Sequence, residues 1–330
     1  MAVGSSLNPV STNPATVAIR SAVRECLSGC SAGDTVLVAV SGGADSLALA
    51  AALVPESKNL LVNLVGVTID HQLQKSSGEQ AAKVLTQLSE LGITQFEIVK
   101  VDVELVDGLE ASARRARYAA LDAVAEKYNA KSIFLGHTLN DQAESVLLGL
   151  ARGSGARSLS GMARCTGNYC RPLLSISRSE TLAACDENNL SPWVDPHNSD
   201  SQFARVRVRT DALPKLEESI GPGITEALAR SADLLRDDAD ALDAWANQVA
   251  IVLDLADLEI SQLADLPKAV RTRILRKAIY AAGAPIGSIT ADHVASVEAY
   301  VTSWHGQGAC SLPGGVKVSR ISGRLSLLSR

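Results

Sequence analysis

The chain reads as an α/β protein: a doubly wound, mostly parallel sheet, then a helical linker and a small α+β C-terminal domain. Three observations predict this. Apolar strand-like runs alternate with helical patterns in βαβα order from Thr35 to Ala151, which calls for a parallel sheet covered by helices. A glycine turn, Ser41-Gly42-Gly43, sits directly between the first strand and the first helix of that series. Beyond about residue 255 the style changes to two helices followed by short strands around Pro313-Gly314-Gly315.

Taken in order, Thr35 to Val40 is β-branched and apolar without a polar break, as a strand buried on both faces must be. Leu47 to Leu53 is rich in Ala and Leu and starts a helix. Leu60 to Asp70 reads as a second strand ending at Asp70-His71, and Ser77 to Leu91 as a helix stopped by Gly92. Gln95 to Val103 alternates like a strand, and Leu109 to Tyr128 is a long amphipathic helix. Ser132 to Leu135 is a short strand and Asp141 to Ala151 a helix. Ligands of such sheets bind beyond the carboxyl ends of the strands, where the Ser41 loop, Asp70-His71 and Gly136-His137 fall.

From Arg152, repeated glycines mark an irregular segment expected to be mobile. Arg171 to Leu174 reads as extended, Ser179 to Asn188 as a helix, and Asp195 to Asn198 as a turn. Pro214 opens a connecting helix, and Thr225 to about Leu253 is long and acidic on one face. Leu266 to Ala282 and Thr290 to Thr302 are helices, and Ala309 to Leu328 supplies strands. The first fourteen residues have no apolar core; they read as a loose extension rather than a signal or transit peptide. The expected divisions are an extension (1–18), a catalytic domain (19–215), a helical linker (216–255) and a small domain (256–330).

Composition limits the function. At 330 residues and 46% apolar content there is room for two cores, and no apolar run is long enough to span a bilayer. The six cysteines form no C-x-x-C pair, which argues against a disulfide framework or zinc site and fits a reducing cytoplasm. The Cys165/Cys170 spacing stands out but reads as a fortuitous loop pair. The net charge of −5 hides two basic regions. Residues 268–330 hold nine Lys/Arg against two acids, and Arg152 to Arg209 holds eight arginines and no lysine. That distribution suggests a polyanion gripped at chosen places.

The strand–glycine–helix junction points backbone N–H groups and the positive helix end at one spot, a phosphate site. It lacks the P-loop lysine and the G-x-G-x-x-G spacing, and what remains is S-G-G-x-D-S, Ser41-Gly42-Gly43-Ala44-Asp45-Ser46. Further on, Asp141 and Glu144 are three apart and share one helical face near its N-terminus, where they suit a cationic amine or its proton. Arg114 and Arg117 supply guanidinium groups for phosphate charge, and His71 and His137 are candidates to contact a nucleotide.

The S-G-G-x-D-S loop resembles that of the PP-loop ATP pyrophosphatases, which are Rossmann-like. The ordered set of segments is similar to one family among them, the bacterial tRNA(Ile)-lysidine synthetases. The segments are Ser41 to Ser46, Ile69-Asp70-His71, Ala113-Arg114 with Arg117-Tyr118, and Leu135-Gly136-His137 with Asp141 to Glu144. Arg152 to Gly155, Leu159 to Met162, Arg171 to Leu174, Trp193 to Pro196 with Asn198, and Arg205 to Arg209 with Leu213-Pro214 follow.

The resemblance implies an ATP-driven ligase forming a carbon–nitrogen bond on the CAU-anticodon isoleucine tRNA. The wobble cytidine is adenylated with loss of pyrophosphate, and free L-lysine then attacks carbon 2 and expels AMP. It implies that Ser41, Gly42, Gly43, Ala44, Asp45 and Ser46 bind ATP together with Asp70 and His71, with Mg at Asp45. Arg114, Arg117 and His137 would face the phosphates or adenylate, and Asp141 and Glu144 the lysine. Arg152, Arg205, Arg207 and Arg209 would contact tRNA, aided by the basic C-terminal domain. A homodimer of the family's short form is the expectation. Thr138, Gln72, Gln74 and Val206 depart from the family pattern. Rival readings are a tRNA 2-thiolation enzyme, which needs cysteines near the site, and a non-catalytic ATP-gated tRNA-binding protein.

Overall fold

The structure is a computed structural model that describes residues 13–72, 77–102, 108–153, 155–195 and 200–329. Residues 1–12, Gln74, Val103, Ser154 and the Pro196-His197-Asn198 part of the expected turn lie outside the described residues, as does the Glu110 side chain. The chain divides into two compact units, Met1–Leu234 and Leu235–Arg330.

The first unit is built on strands β1 (Thr35–Ala39), β2 (Asn63–Asp70), β3 (Gln95–Lys100), β4 (Ala130–Phe134), β5 (Cys165–Thr166) and β6 (Tyr169–Cys170). Their order is β3-β2-β1-β4-β6-β5, all parallel except β5, which runs antiparallel to β6. The order reverses direction at β1, so β1 and β4 diverge into loops that leave a crevice between them at their carboxyl ends. Val36 and Val38 of β1 enter the core on one sheet face and Leu37 the core on the other, and all three are fully buried. That is why the centre of β1 carries no polar residue.

Helices α1 (Pro14–Leu27), α2 (Ala44–Leu60) and α7 (Arg178–Glu187) share the Val36/Val38 face, and α4 (Leu109–Lys127) covers the other. Helix α3 (Ser77–Glu90) contributes Val84 and Leu88 to the first face. Helix α1 begins inside the stretch expected to be a loose extension. Asn13 caps it by accepting from the Ala15 amide at 2.9 Å, Pro14 suits the first helical position, and Ile19, Val23 and Leu27 are buried. Arg20 and Arg24 donate to the buried Glu56 of α2 at 2.8 and 3.0 Å, tying the helices together. The apolar positions of α1 recur at helical spacing, a signal present in the sequence but overlooked beside the glycine- and serine-rich start.

Two more expectations are corrected. The irregular run after helix α5 (Leu139–Ala151) holds a short helix, α6 (Ala156–Leu159), and the β5–β6 hairpin that widens the main sheet. Arg171 to Leu174 is not extended, because Pro172–Ser175 forms a 3-10 turn with Leu173 fully buried beneath it. A helical run then proceeds through α8 (Ala204–Arg207), a wide π-type turn at Val208–Ala212 and α9 (Leu213–Ile220), and α10 (Ile224–Ala250) follows.

The second unit holds β7 (Asp257–Glu259), α11 (Ile260–Ala264), α12 (Lys268–Ala281), α13 (Ala291–Thr302), β8 (Cys310–Ser311), β9 (Lys317–Ile321) and β10 (Arg324–Leu328). Its antiparallel sheet is ordered β7-β10-β9-β8 and packs Val318 and Leu325 against Ile274, Ala278 and Val297. Part of the local basic excess is structural. Buried Arg271 donates to Glu298 at 2.7 Å, Arg273 to Asp243 at 2.6 Å, and Arg324 to Asp257 at 2.6 Å. Lys268 and Lys317 stay exposed. Among the described residues no helix is long and apolar enough to cross a membrane.

Candidate active site

The loop after β1 is shaped by two glycines and two serines. Gly42 takes a φ of +89°, and a Cβ there would meet Val84 Cγ2 at 2.8 Å, so only glycine fits. Its carbonyl accepts from the Trp193 amide at 2.9 Å, which pins the loop from behind. Gly43 caps α2 without a side chain. Ser46 Oγ accepts from the Ser41 amide at 3.2 Å and donates to the Gly43 carbonyl at 2.9 Å, closing the loop on itself. The first turn of α2 therefore aims its amides at the open side, with Ala44 and Asp45 leading the helix.

Gly136, just past β4, lets that helix come close. A Cβ at Gly136 would stand 3.0 Å from the Asp45 carbonyl carbon and oxygen and from the Ser46 nitrogen. Asp45 Oδ1 accepts from Thr181 Oγ1 at 2.5 Å, and Oδ2 lies 3.5 Å from Arg178 Nε. Burial raises the Asp45 carboxyl above its ordinary range, opposed by the Thr181 hydrogen bond and the Arg178 charge.

After β4, His137 and Thr138 lead into α5. Thr138 is the helix cap: its hydroxyl accepts from the Asp141 amide, and Asp141 Oδ2 accepts from the Thr138 amide at 2.8 Å. This accounts for threonine at the position that departs from the family pattern. It also means that one Asp141 oxygen serves the cap, while the other, Oδ1, lies 3.8 Å from Arg178 Nη2. Glu144, one turn on, is fully buried. Its Oε2 lies 3.1 Å from Arg205 Nε in an ion pair whose alignment makes no hydrogen bond, so both Glu144 oxygens are without a hydrogen-bond donor. Burial first, and Asp141 second, push this carboxyl up to about 7, against the pull of Arg205 and Arg209.

Cationic and neutral groups complete the rim. His137 Nδ1 is buried without a partner, and burial with Arg117, Arg171 and Arg114 nearby lowers the imidazole to about 3, so the ring is neutral at physiological pH. His71 is likewise lowered by burial and by Arg117. Asp70 is buried and accepts from the Gln72 amide at 2.9 Å, while Gln72 adopts a φ of +53°. Arg114 and Arg117 flank the Tyr118 ring at 4.8 and 5.6 Å, and Arg117 Nε is buried without a hydrogen-bond acceptor. An orphaned guanidinium nitrogen among lowered imidazoles is a ready anion contact.

The arginine-rich segment divides. Arg205 turns inward, with Nε toward Glu144 and Nη2 donating to Ser145 Oγ at 2.7 Å, and Arg209 lies close enough to act on Glu144 electrostatically. Val206 between them is buried, which suits an apolar residue where the family pattern has an amide. Arg207 is exposed and donates to the Ser201 and Gln202 carbonyls at 2.7 and 2.8 Å, and Arg152 ends α5 exposed. Arg205 is thus held against the acid helix, with its side chain partly exposed.

Residues absent from the sequence-based site are Arg178 and Thr181 on α7, and Asn140, whose Oδ1 accepts from the Arg178 amide at 2.9 Å. Ser177 caps α7 in a box with Glu180, so this helix start is rigid. No local motif announces Arg178, because its partners at Asp45 and Asp141 are distant in sequence. Buried Cys185 donates to the Ala44 carbonyl at 3.3 Å under the loop, and burial pushes its thiol up to about 12.

Residues 16–216 match the model of the PP-loop domain, and residues 258–326 that of the TilS substrate binding domain. A tRNA(Ile)-lysidine synthase of Thermobifida fusca is 50% identical over 94% of this chain and 97% of its own length. The enzyme of the same name from Streptomyces coelicolor is 52% identical over 88% and 84%. Among solved structures, the tRNA thiolase NcsA of Methanococcus maripaludis shares the fold, with a TM-score of 0.56 at 20% identity over 67% of this chain and 80% of that one. The phosphate-shaped loop, the capped acid helix and both matching domains lead to one assignment: the chain belongs to the tRNA(Ile)-lysidine synthase family.

Proposed function

We propose that the chain joins free L-lysine to carbon 2 of the wobble cytidine in the CAU-anticodon isoleucine tRNA, using ATP and releasing AMP and pyrophosphate. The observation that carries this reading is Arg178, 3.5 Å from Asp45 and 3.8 Å from Asp141. It joins the phosphate loop and the acid helix into one site, so an activated phosphoryl group and an amine can meet there.

In the first step the cytidine O2 attacks the α-phosphorus and the bond to pyrophosphate breaks. Ser41 to Ser46 hold the leaving pyrophosphate by backbone amides and hydroxyls, and Arg114 and Arg117 offset charge on the α-phosphate. Neutral His137 offers the adenylate a hydrogen-bonding group without adding charge. Asp45 fits a Mg ion, since a desolvated carboxylate at the loop is a hard oxygen donor and nucleotide phosphates complete such a shell. The ion would supply charge neutralisation of pyrophosphate. In the second step the ε-amine of lysine attacks carbon 2 and AMP leaves. Asp141 Oδ1 and Glu144 hold the ammonium, and Glu144, poised near neutrality, takes its proton. There is no covalent nucleophile on the protein, so rate comes from positioning and charge.

Arg152, Arg207 and the exposed lysines of the second unit provide tRNA contacts, and Arg205 acts on Glu144 instead. Thiolation is disfavoured, because the cysteine beneath the loop, Cys185, is buried as a neutral thiol. We place the activity in the cytoplasm and the protein in a homodimer. Incubation with ATP, radiolabelled lysine and unmodified CAU-anticodon isoleucine tRNA tests the reading. Label should enter the tRNA; ATP and tRNA binding without lysine transfer would refute it.

A further inference from the structure

Two cysteines meet away from the candidate active site, at the outer edge of the main sheet. Cys165 on β5 and Cys170 on β6 are register partners across an antiparallel hairpin, with Gly167 at a φ of +57° in its two-residue turn. The Arg171 amide donates to the Arg164 carbonyl at 2.7 Å, so the next pair inward, Cys165/Cys170, is a non-hydrogen-bonded pair. In such pairs the Cα atoms stand about 4.5 Å apart, inside the span a disulfide bridges. The two Sγ atoms already lie 3.1 Å apart. Cys170 is buried and Cys165 exposed, so a small oxidant reaches the pair from one side.

Among the described residues no group of three or more His, Cys, Asp or Glu is placed to hold a metal.

We propose that Cys165 and Cys170 are an oxidisable dithiol that closes to a disulfide on contact with hydrogen peroxide. The exposed Cys165, once deprotonated, attacks one peroxide oxygen and the O–O bond breaks, giving a Cys165 sulfenic acid and hydroxide, which takes a proton to become water. Cys170, losing its proton, attacks the sulfenic sulfur and expels the second water. The sum is two thiols and one peroxide giving one disulfide and two waters. The bridge closes one residue from Arg171, whose guanidinium donates to the Ala163 carbonyl at 3.1 Å and acts electrostatically on His137.

The test uses the full chain, exposed to hydrogen peroxide, quenched with N-ethylmaleimide and digested with trypsin. Cleavage after Arg164 and resistance of the Arg171–Pro172 bond place both cysteines on one peptide ending at Arg178. That peptide should emerge unlabelled and two hydrogens lighter, and be restored by dithiothreitol. Cys165→Ser, at an exposed position, should fold and abolish the lighter peptide. Labelling of both cysteines after peroxide, or a stable end product linking this peptide to another cysteine, would overturn the dithiol.

Discussion

Glu144→Gln should make the protein more stable at alkaline pH while impairing it as a catalyst. An ordinary glutamate titrates near 4.5, and burial carries Glu144 to about 7. Between those values the folded state binds the proton and the unfolded state has released it, so stability falls as pH rises. Above 7 the buried charge is present in full. Each tenfold weakening of proton release is worth about 1.36 kcal/mol, so the charge costs about 3 kcal/mol at pH 8, shrinking below about 1 kcal/mol at pH 5. Glutamine keeps the shape without the charge, and Arg205 retains Ser145 as a partner at 2.7 Å. For a unit of this size the gain corresponds to roughly 6–12 °C in melting temperature at pH 8. Thermal melts of the two proteins at pH 5 and pH 8 measure it. An equal difference at both pH values, or a variant that melts lower at pH 8, refutes the buried-charge argument. On the functional side, the variant should keep ATP–pyrophosphate exchange and slow lysine transfer. Equal loss of both would show that Glu144 does not serve the amine step.

Three further substitutions probe the rest of the site. Gly136→Ala puts a Cβ at 3.0 Å from the Asp45 and Ser46 backbone, which cannot yield cheaply, so ATP–pyrophosphate exchange should fall at least about tenfold; wild-type exchange would refute the close-approach argument. Thr181→Val removes a charge-assisted hydrogen bond of about 1.5–3 kcal/mol from Asp45. The acid limb of the exchange pH profile should move to higher pH, and a limb that stays put would disprove the link. Asp141→Asn keeps a capping oxygen, costing no more than about 1 kcal/mol in a melt. It should raise the KM for lysine without changing that for ATP, and a parallel change in both would remove Asp141 from the amine.

Much of the catalytic unit is legible in the sequence because its signals are local. An uninterrupted apolar run marks β1, Gly92 marks a helix end, and Ser41 to Ser46 carry their own turn chemistry. Helix α1 is legible too, through Ile19, Val23 and Leu27, but the loop-like composition before it masks the start. The β5–β6 hairpin is harder: two-residue strands have too few positions to show a period, and the pairing of Cys165 with Cys170 depends on the turn between them.

The acid pair shows where local reading stops. Three-residue spacing on a helix puts Asp141 and Glu144 on one face, and the sequence alone determined that, together with the phosphate loop, the alternation of strands and helices, and the family pattern. Only the tertiary structure decided that Asp141 gives one oxygen to the Thr138 cap, that Arg205 turns inward to Glu144, and that Arg178 joins Asp45 to Asp141. The reason is physical. Helix caps and glycine turns are settled by neighbours within a few residues, whereas an ion pair depends on where the sheet delivers residues far apart in the chain. Burial, which holds Glu144 near 7 and His137 near 3, exists only once those segments have packed together.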